Sequence, residues 1–175
     1  SLWTNRNEMY VGESGSGNQL VISNGGVAFA QFTRFLGHAS GATSNNTAIV
    51  TGAGSRWLGP GNLEVGGPAA FSRLLVRDGG RVEDNSGFIG SGSSASNNLA
   101  VVVDAGSVWS NANSLFVGNA GARNQVVVSN GAAVFGSEGV IGYTSSSSNN
   151  LAVVTGAGSM WSNAVDLFVG NDGRN

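Results

Sequence analysis

The chain has 175 residues and a formal net charge of −2, and only 10% of its residues are charged. Gly, Ser and Asn are abundant, at 29, 24 and 20 residues, whereas Cys and Lys are absent. This composition offers no basic field for nucleic acid or anionic lipid, no disulfide or thiolate metal site, and no apolar run long enough for a transmembrane helix.

A repeat runs through the whole sequence. Tryptophans recur every 52 to 54 residues, and three of them end a similar phrase that reads VTGAGSRW (50–57), VDAGSVW (103–109) and VTGAGSMW (154–161). A finer period of about 26 residues lies within it and is carried by one polar column: Asn18, Asn46, Ser72, Asn98, Asn124, Asn150 and Asn175. Self-similarity at a period of about 20 to 50 residues predicts stacked structural units.

Each unit predicts three short strands in chain order. The first follows the polar column, as in QVVVS (125–129), the second is of the AVF (133–135) or SMW (159–161) type, and the third is of the LFVG (115–118) type. Apolar, β-branched runs between Gly, Asn and Ser are strand and turn signals, and no segment keeps a helical period. The sequence therefore predicts an all-β parallel β-solenoid with about 26 residues and three strands per coil, in which two alternating coil types form a 52-residue double repeat.

The segments VTGAGSMWSNAVDLFVGNDG (154–173) and LFVGNAGARNQVVVSNGAAV (115–134) resemble the repeat associated with autotransporter (type V secretion) passengers and PEP-CTERM surface proteins. The resemblance covers nearly the whole chain and implies a right-handed β-helix on or outside a bacterial cell, with no shared catalytic residues. Residues 67–81 depart from the pattern, with Pro and Arg in place of Asn and Gln. Because both chain ends fall inside a repeat, we expect residues 1–175 to be a single solenoid segment of a longer array.

Stacking of equivalent coils predicts two side-chain columns that hold the rod together. Asn side chains can hydrogen-bond along the axis of a stacked array, and stacked aromatic rings bury a large area. We therefore expect a structural Asn ladder of Asn18, Asn46, Asn98, Asn124 and Asn150. Eleven positions further on, we expect an aromatic stack of Phe29, Trp57, Trp109, Phe135 and Trp161, interrupted by Glu83.

The first strand of each unit has three consecutive apolar residues, and alternation sends the middle one outward. This predicts an exposed aliphatic stripe of Val21, Ile49, Leu75, Val101, Val127 and Val153. Such a stripe is either covered by a partner or reflects the high β-propensity of Val and Ile alone.

Charged residues offer few candidate sites. Arg73, Arg77 and Arg81 form the densest cationic group and could bind an acidic glycan, although a solvated face is the simpler interpretation. Asp78 and Asp104 share a column, so they could form the carboxylate pair of a glycosidase; turn residues before Gly are the simpler interpretation. The single histidine, His38, has no companion ligands, and we expect neither a metal nor a cofactor.

The sequence favours a structural role for a non-enzymatic protein. The leading hypothesis is an extracellular or cell-surface fibre or stalk of bacterial origin that self-associates end to end or side by side. The alternative is an autotransporter-type adhesin that binds glycans or host surfaces, and a carbohydrate-active enzyme is the third. We expect no nucleic-acid partner and no membrane insertion of this segment.

Overall fold

The structure, a computed structural model, describes residues 1–39 and 43–173, and within these ranges the regular elements are twenty β-strands. Asn175, the last member of the predicted polar column, lies outside the described residues. The strands are β1 (Leu2–Asn5), β2 (Met9–Val11), β3 (Gln19–Ser23), β4 (Val27–Ala30), β5 (Arg34–Leu36), β6 (Thr47–Thr51), β7 (Arg56–Leu58), β8 (Leu63–Val65), β9 (Arg73–Arg77), β10 (Arg81–Asp84), β11 (Gly87–Ile89), β12 (Leu99–Val103), β13 (Val108–Asn111), β14 (Ser114–Val117), β15 (Gln125–Ser129), β16 (Ala133–Gly136), β17 (Glu138–Ile141), β18 (Leu151–Thr155), β19 (Met160–Asn163) and β20 (Leu167–Val169).

Every third strand belongs to the same parallel sheet. Sheet 1 has the order β3-β6-β9-β12-β15-β18, sheet 2 the order β1-β4-β7-β10-β13-β16-β19, and sheet 3 the order β2-β5-β8-β11-β14-β17-β20. One coil takes a strand from sheets 1, 2 and 3 in turn, so about six coils follow β1 and β2 within the described residues. The predicted all-β solenoid, with about 26 residues and three strands per coil, is confirmed.

Alternation along each strand builds the core between the three sheets. In β12, Ala100 and Val102 are fully buried, while Leu99, Val101 and Val103 point outward and are partly exposed. The same inward position in neighbouring coils holds Val50, Val76 and Val128, each fully buried and in register with the next. Since each inward residue packs on its counterparts above and below, one coil alone has no core.

Corner length alternates between coils and explains the 52-residue double repeat. From sheet 1 to sheet 2, Val102 and Trp109 are seven positions apart, whereas the equivalent residues Val128 and Val134 are six apart. The step from sheet 2 to sheet 3 also differs by one, since Trp109 and Val117 are eight positions apart and Val134 and Ile141 are seven apart. The corner from sheet 3 back to sheet 1 compensates for both differences, because Val117 and Asn124 are seven apart and Ile141 and Asn150 are nine apart. The period of 26 is therefore kept while the shape of successive coils alternates.

The extra corner residue makes the predicted aromatic stack wrong. A one-residue shift moves a side chain to the opposite face of a strand. Trp57 and Trp109 are fully buried, and the tryptophans lie in register with small inward residues: Ala28, Val82 and Val134. Phe29 and Phe135 instead face outward. Phe29 is in register with Leu58, and Phe135 is in register with Ser110 and with Ser162 of the Trp161 coil. The tryptophans are core residues, and the two phenylalanines belong to the outer surface of sheet 2.

The long corner also binds the short corner of the preceding coil. Its serine hydroxyl accepts a hydrogen bond from a glycine amide one coil away, at N···Oγ distances of 3.1, 3.0 and 3.0 Å for the pairs Gly25–Ser55, Gly79–Ser107 and Gly131–Ser159. Ser55 and Ser107 are fully buried. The serine of each G-S-x-W phrase thus satisfies a backbone donor of the coil before it.

The Asn column forms a hydrogen-bonded ladder along the axis. Asn98 donates its backbone N–H and its side-chain Nδ2 to Oδ1 of Asn124, both at 3.0 Å, and the Asn124 backbone N–H donates to Oδ1 of Asn150 at 2.8 Å. Asn18 makes the same two bonds to Asn46. Gly90 lies against this ladder, since a Cβ there would come within 2.2 Å of Asn124 Nδ2. Gly12, Gly66 and Gly118 lie in the same way against Asn46, Asn98 and Asn150, so the glycine after these sheet 3 strands leaves room for the asparagine of the next coil.

Ser72 interrupts the ladder. Its backbone N–H still donates to Asn98 Oδ1 at 2.8 Å, but its side chain is too short to reach along the axis as Asn does. The buried Nδ2 of Asn46 and the buried Oγ of Ser72 both lack a hydrogen-bond partner. Ser72 is thus the weak point of an otherwise continuous column.

We expect Asn124→Ala to lower the free energy of unfolding by about 2–4 kcal/mol. The substitution removes the acceptor of two Asn98 donors and the bond from Asn124 Nδ2 to the Ala95 carbonyl oxygen. Chemical denaturation followed by circular dichroism measures the change. Asn113→Ala is the matched control: Asn113 is exposed and its side chain bonds to Asn85 at the surface, so its effect should stay within about 0.5 kcal/mol. Equal effects of the two variants would contradict the ladder.

Candidate functional surfaces

The predicted aliphatic stripe lies on the outer face of sheet 1. Its members are in register from coil to coil: Val21, Ile49, Leu75, Val101, Val127 and Val153. Val21 is 50% exposed, and the other five are partly exposed. The column is a continuous apolar line parallel to the rod axis, and it is not part of the core.

Two of the three predicted arginines flank this stripe. Arg73 and Arg77 are at the two ends of β9, both exposed, on either side of the outward-facing Leu75. Arg77 forms an ion pair with Asp78, with 3.5 Å between Nε and Oδ2. Arg81 instead begins β10 of sheet 2, in register with Arg56 and Val108. The predicted ligand face is therefore split, with Arg73 and Arg77 on one surface and Arg81 around the corner.

Sheet 3 carries an outward aromatic column that the sequence reasoning missed. Phe88 and Phe116 stack with ring centroids 4.9 Å apart and planes 2° apart, and Tyr143 meets Phe116 edge-on at 5.5 Å. Towards the other end, Tyr10 and Phe35 stack at 5.1 Å. The signal was the middle residue of the LFVG-type strands. The rings of each stacked pair pack on one another between register partners of neighbouring coils.

His38 belongs to the same aromatic surface. Its ring lies 4.3 Å from the Phe35 ring and 5.0 Å from the Tyr10 ring, measured between centroids. Within residues 1–39 and 43–173 the structure contains no group of three or more His, Cys, Asp or Glu side chains placed to hold a metal ion.

A buried arginine is the most unusual polar residue of the interior. Arg34 is fully buried at an inward position of sheet 3 where the equivalent coils have Gly87 and Gly139. Those glycines make room for tryptophan, since a Cβ on Gly87 would lie 2.6 Å from Trp109 Cζ2. Arg34 fills this space beside Trp57, with its Cζ 5.8 Å from the ring centroid. A charged residue at an inward strand position was the signal that the sequence offered.

Four backbone carbonyl oxygens accept hydrogen bonds from the Arg34 guanidinium. It donates to the carbonyl of Trp57 at 3.2 Å and to that of Glu83 at 3.0 Å, with longer bonds to Gly59 and Gly61. Burial lowers the pKa of Arg34 to about 10, and the negative charge of Asp84 opposes this shift. Arg34 is therefore still charged at neutral pH and bridges two successive coils.

Asp84 is the buried acid of this cluster. It accepts a hydrogen bond from Trp109 Nε1 at 2.7 Å, while its Oδ1 is buried without a partner. Burial raises the pKa of Asp84 to about 7, although Arg34 and the Trp109 hydrogen bond oppose the shift. The next coil has neutral Asn111 in register with it. Asp84 is thus an interior group that titrates near neutral pH.

Asp78 and Asp104 are both corner residues with left-handed backbone, at φ of 53° and 75°. Asn24 and Asn130 have the same conformation, at φ of 53° and 54°. Asp78 is engaged with Thr51 Oγ1 at 2.9 Å and with Arg77. The left-handed backbone of both residues and the contacts of Asp78 are those of turn residues, which supports this interpretation over a glycosidase carboxylate pair.

Comparison of the chain with protein-family models, with curated proteins and with solved structures found no match. No helix in the described part of the chain has the length and apolar character needed to cross a membrane.

We expect the Asp84 carboxyl to make folding stability fall as pH rises from about 4 to about 7. Its pKa is 3.8 in the reference state and about 7 in the folded chain, so the folded state binds more protons in this window and loses that advantage as they dissociate. Relative to Asp84→Asn, the wild type should lose on the order of 1 kcal/mol per pH unit, measured by denaturation at several pH values.

A variant that adds a second buried acid provides the matched test. Asn111→Asp places a carboxyl at the next register position of the same buried column and should introduce a second stability loss in that pH range. If Asp84→Asn left the pH profile of the wild type unchanged, the buried acid would have no such role.

Proposed function

We propose that the chain is a structural β-solenoid rod that works by self-association as an extracellular or cell-surface fibre or stalk of bacterial origin. The observation that supports this proposal most is the in-register stacking of about six equivalent coils with continuous hydrogen-bonded sheets and an Asn ladder. Load along such an axis is shared by many parallel backbone bonds, as in a cross-β array. The sequence resemblance to secreted passenger repeats supports the location, and no catalytic residue is part of the proposal.

The low charge of the chain favours stacking. Repetition at about 4.8 Å between coils would bring like charges close together, and the outward columns mostly avoid this by using Val, Ser, Thr and Gln. The last described coil also exposes inward-type residues: Val154 is 46%, Leu167 54% and Val169 65% exposed. An end-to-end contact between two rods, as proposed, would cover them and pair the free backbone groups of the sheet edge.

Electron microscopy of the purified chain, together with sedimentation over a concentration series, tests the proposal. We expect uniform filaments whose length increases with concentration. Leu167→Lys with Val169→Lys should shorten them if association is end to end. Val101→Lys with Val153→Lys, which lie two coils apart in the stripe, should separate bundled filaments if it is side by side. All four residues are at least partly exposed, so the fold should tolerate these changes. Compact single particles at every concentration would contradict the proposal.

An adhesin is the second candidate, because Arg73 and Arg77 flank Leu75 on one exposed face. Two guanidinium groups on either side of an apolar patch suit an acidic glycan. We expect binding on an array of acidic glycans to be lost in Arg73→Ala with Arg77→Ala and kept in Arg6→Ala, which removes an exposed arginine elsewhere. Equal binding by both variants would leave this face without a ligand role.

A further inference from the structure

Two of the three short corners from sheet 1 to sheet 2 that are bonded to a long-corner serine contain an Asn-Gly sequence, Asn24-Gly25 and Asn130-Gly131. Both asparagines are exposed and have left-handed backbone. The glycine that follows has no side chain to shield its amide nitrogen. In such a sequence that nitrogen can attack the asparagine side chain, so both corners have the groups needed for a spontaneous loss of the side-chain amide.

The reaction is balanced with water alone. After losing its proton, the glycine nitrogen forms a bond to Cγ of the asparagine, and the Cγ–Nδ2 bond breaks to release ammonia. The resulting succinimide ring is opened by water at either carbonyl, which yields aspartate or isoaspartate. The third such corner contains Asp78-Gly79, where the same ring closure would expel water.

The structure holds the attacking nitrogen in a hydrogen bond. The Gly25 amide donates to Ser55 Oγ at 3.1 Å, and the Gly131 amide donates to Ser159 Oγ at 3.0 Å. Ser55 is fully buried. Ser159 Oγ in turn donates to the Thr155 carbonyl at 2.6 Å, which fixes its acceptor orientation. A bonded N–H is harder to deprotonate, and the fixed peptide plane is harder to rotate towards Cγ.

We propose that Asn24 and Asn130 are latent deamidation sites, and that Ser55 and Ser159 of the following long corners protect them. The serine of the G-S-x-W phrase would then have two roles, closing its own corner and preserving the neighbouring one. Conversion to aspartate would be tolerated, because Asp78 already occupies the equivalent position with the same φ. Isoaspartate would add a backbone carbon to a tight corner and displace the strands that follow.

The test is to incubate the intact wild type, Ser55→Ala, Ser159→Ala and the control Ser110→Ala at mildly alkaline pH. Peptide mapping by mass spectrometry then gives the deamidation rate at each asparagine. Ser110 lies on the outward face of β13 and is partly exposed. We expect Ser55→Ala to raise the rate at Asn24 by roughly two- to tenfold and leave Asn130 unchanged. Ser159→Ala should do the reverse, and Ser110→Ala should change neither rate.

Each variant is the internal control of the other, because a general loosening would raise both rates together and so overturn the proposal. Unchanged rates in both serine variants would overturn it as well. If either variant fails to fold, the wild type still decides: deamidation of Asn24 and Asn130 should be clearly slower in the folded chain than in the chain unfolded by denaturant. Equal rates in the two states would mean that the corners give no protection.

Discussion

Each strand inside the described rod depends on the coil before and the coil after it for its backbone hydrogen bonds. The three sheets are built from strands of consecutive coils, so the hydrogen bonds that stabilise them run along the axis. The Asn ladder follows the same direction, with side-chain amides that satisfy buried backbone donors one coil away. A unit that cannot complete its own bonds must be repeated, which is why the same phrase recurs through the sequence.

Stacking requires successive coils to have nearly the same number of residues, but it allows these residues to be distributed differently among the corners. The corner at the start of sheet 2 gains one residue in the tryptophan coils, and the corner before the Asn column loses residues to compensate. The longer corner turns Trp109 into the core, whereas Phe135 of the next coil turns outward. Small neighbours such as Gly87 then make room for the indole ring. The two coil shapes alternate large and small residues along the tryptophan column, where Val82 and Val134 lie on either side of Trp109, and such alternation helps to fill the core.

The sequence was a reliable guide within the strand that follows the Asn column, before the first corner of variable length. The Asn column and the outward line through Val101 and Val127 follow from spacing and strand alternation, and the structure places them in register. The aromatic stack failed because a single inserted corner residue reverses which face a side chain takes, and spacing from Asn98 to Trp109 and from Asn124 to Phe135 is identical. The interior cluster of Arg34 and Asp84 was missed because each occurs once, in coils that break the pattern, and repetition gives no information about such exceptions.

The central claim is that residues one period apart lie side by side. The chain has no cysteine, so spin labels can be introduced in pairs at exposed positions of sheet 1. Gln125 and Leu151 are register partners, with backbones about 4.8 Å apart, and their labels should show strong dipolar broadening. The pair Gln125 and Thr155 is displaced by four further residues along β18, roughly 13 Å, and should show much weaker broadening. Equal broadening of the two pairs, or none at 125 and 151, would contradict the stacked architecture.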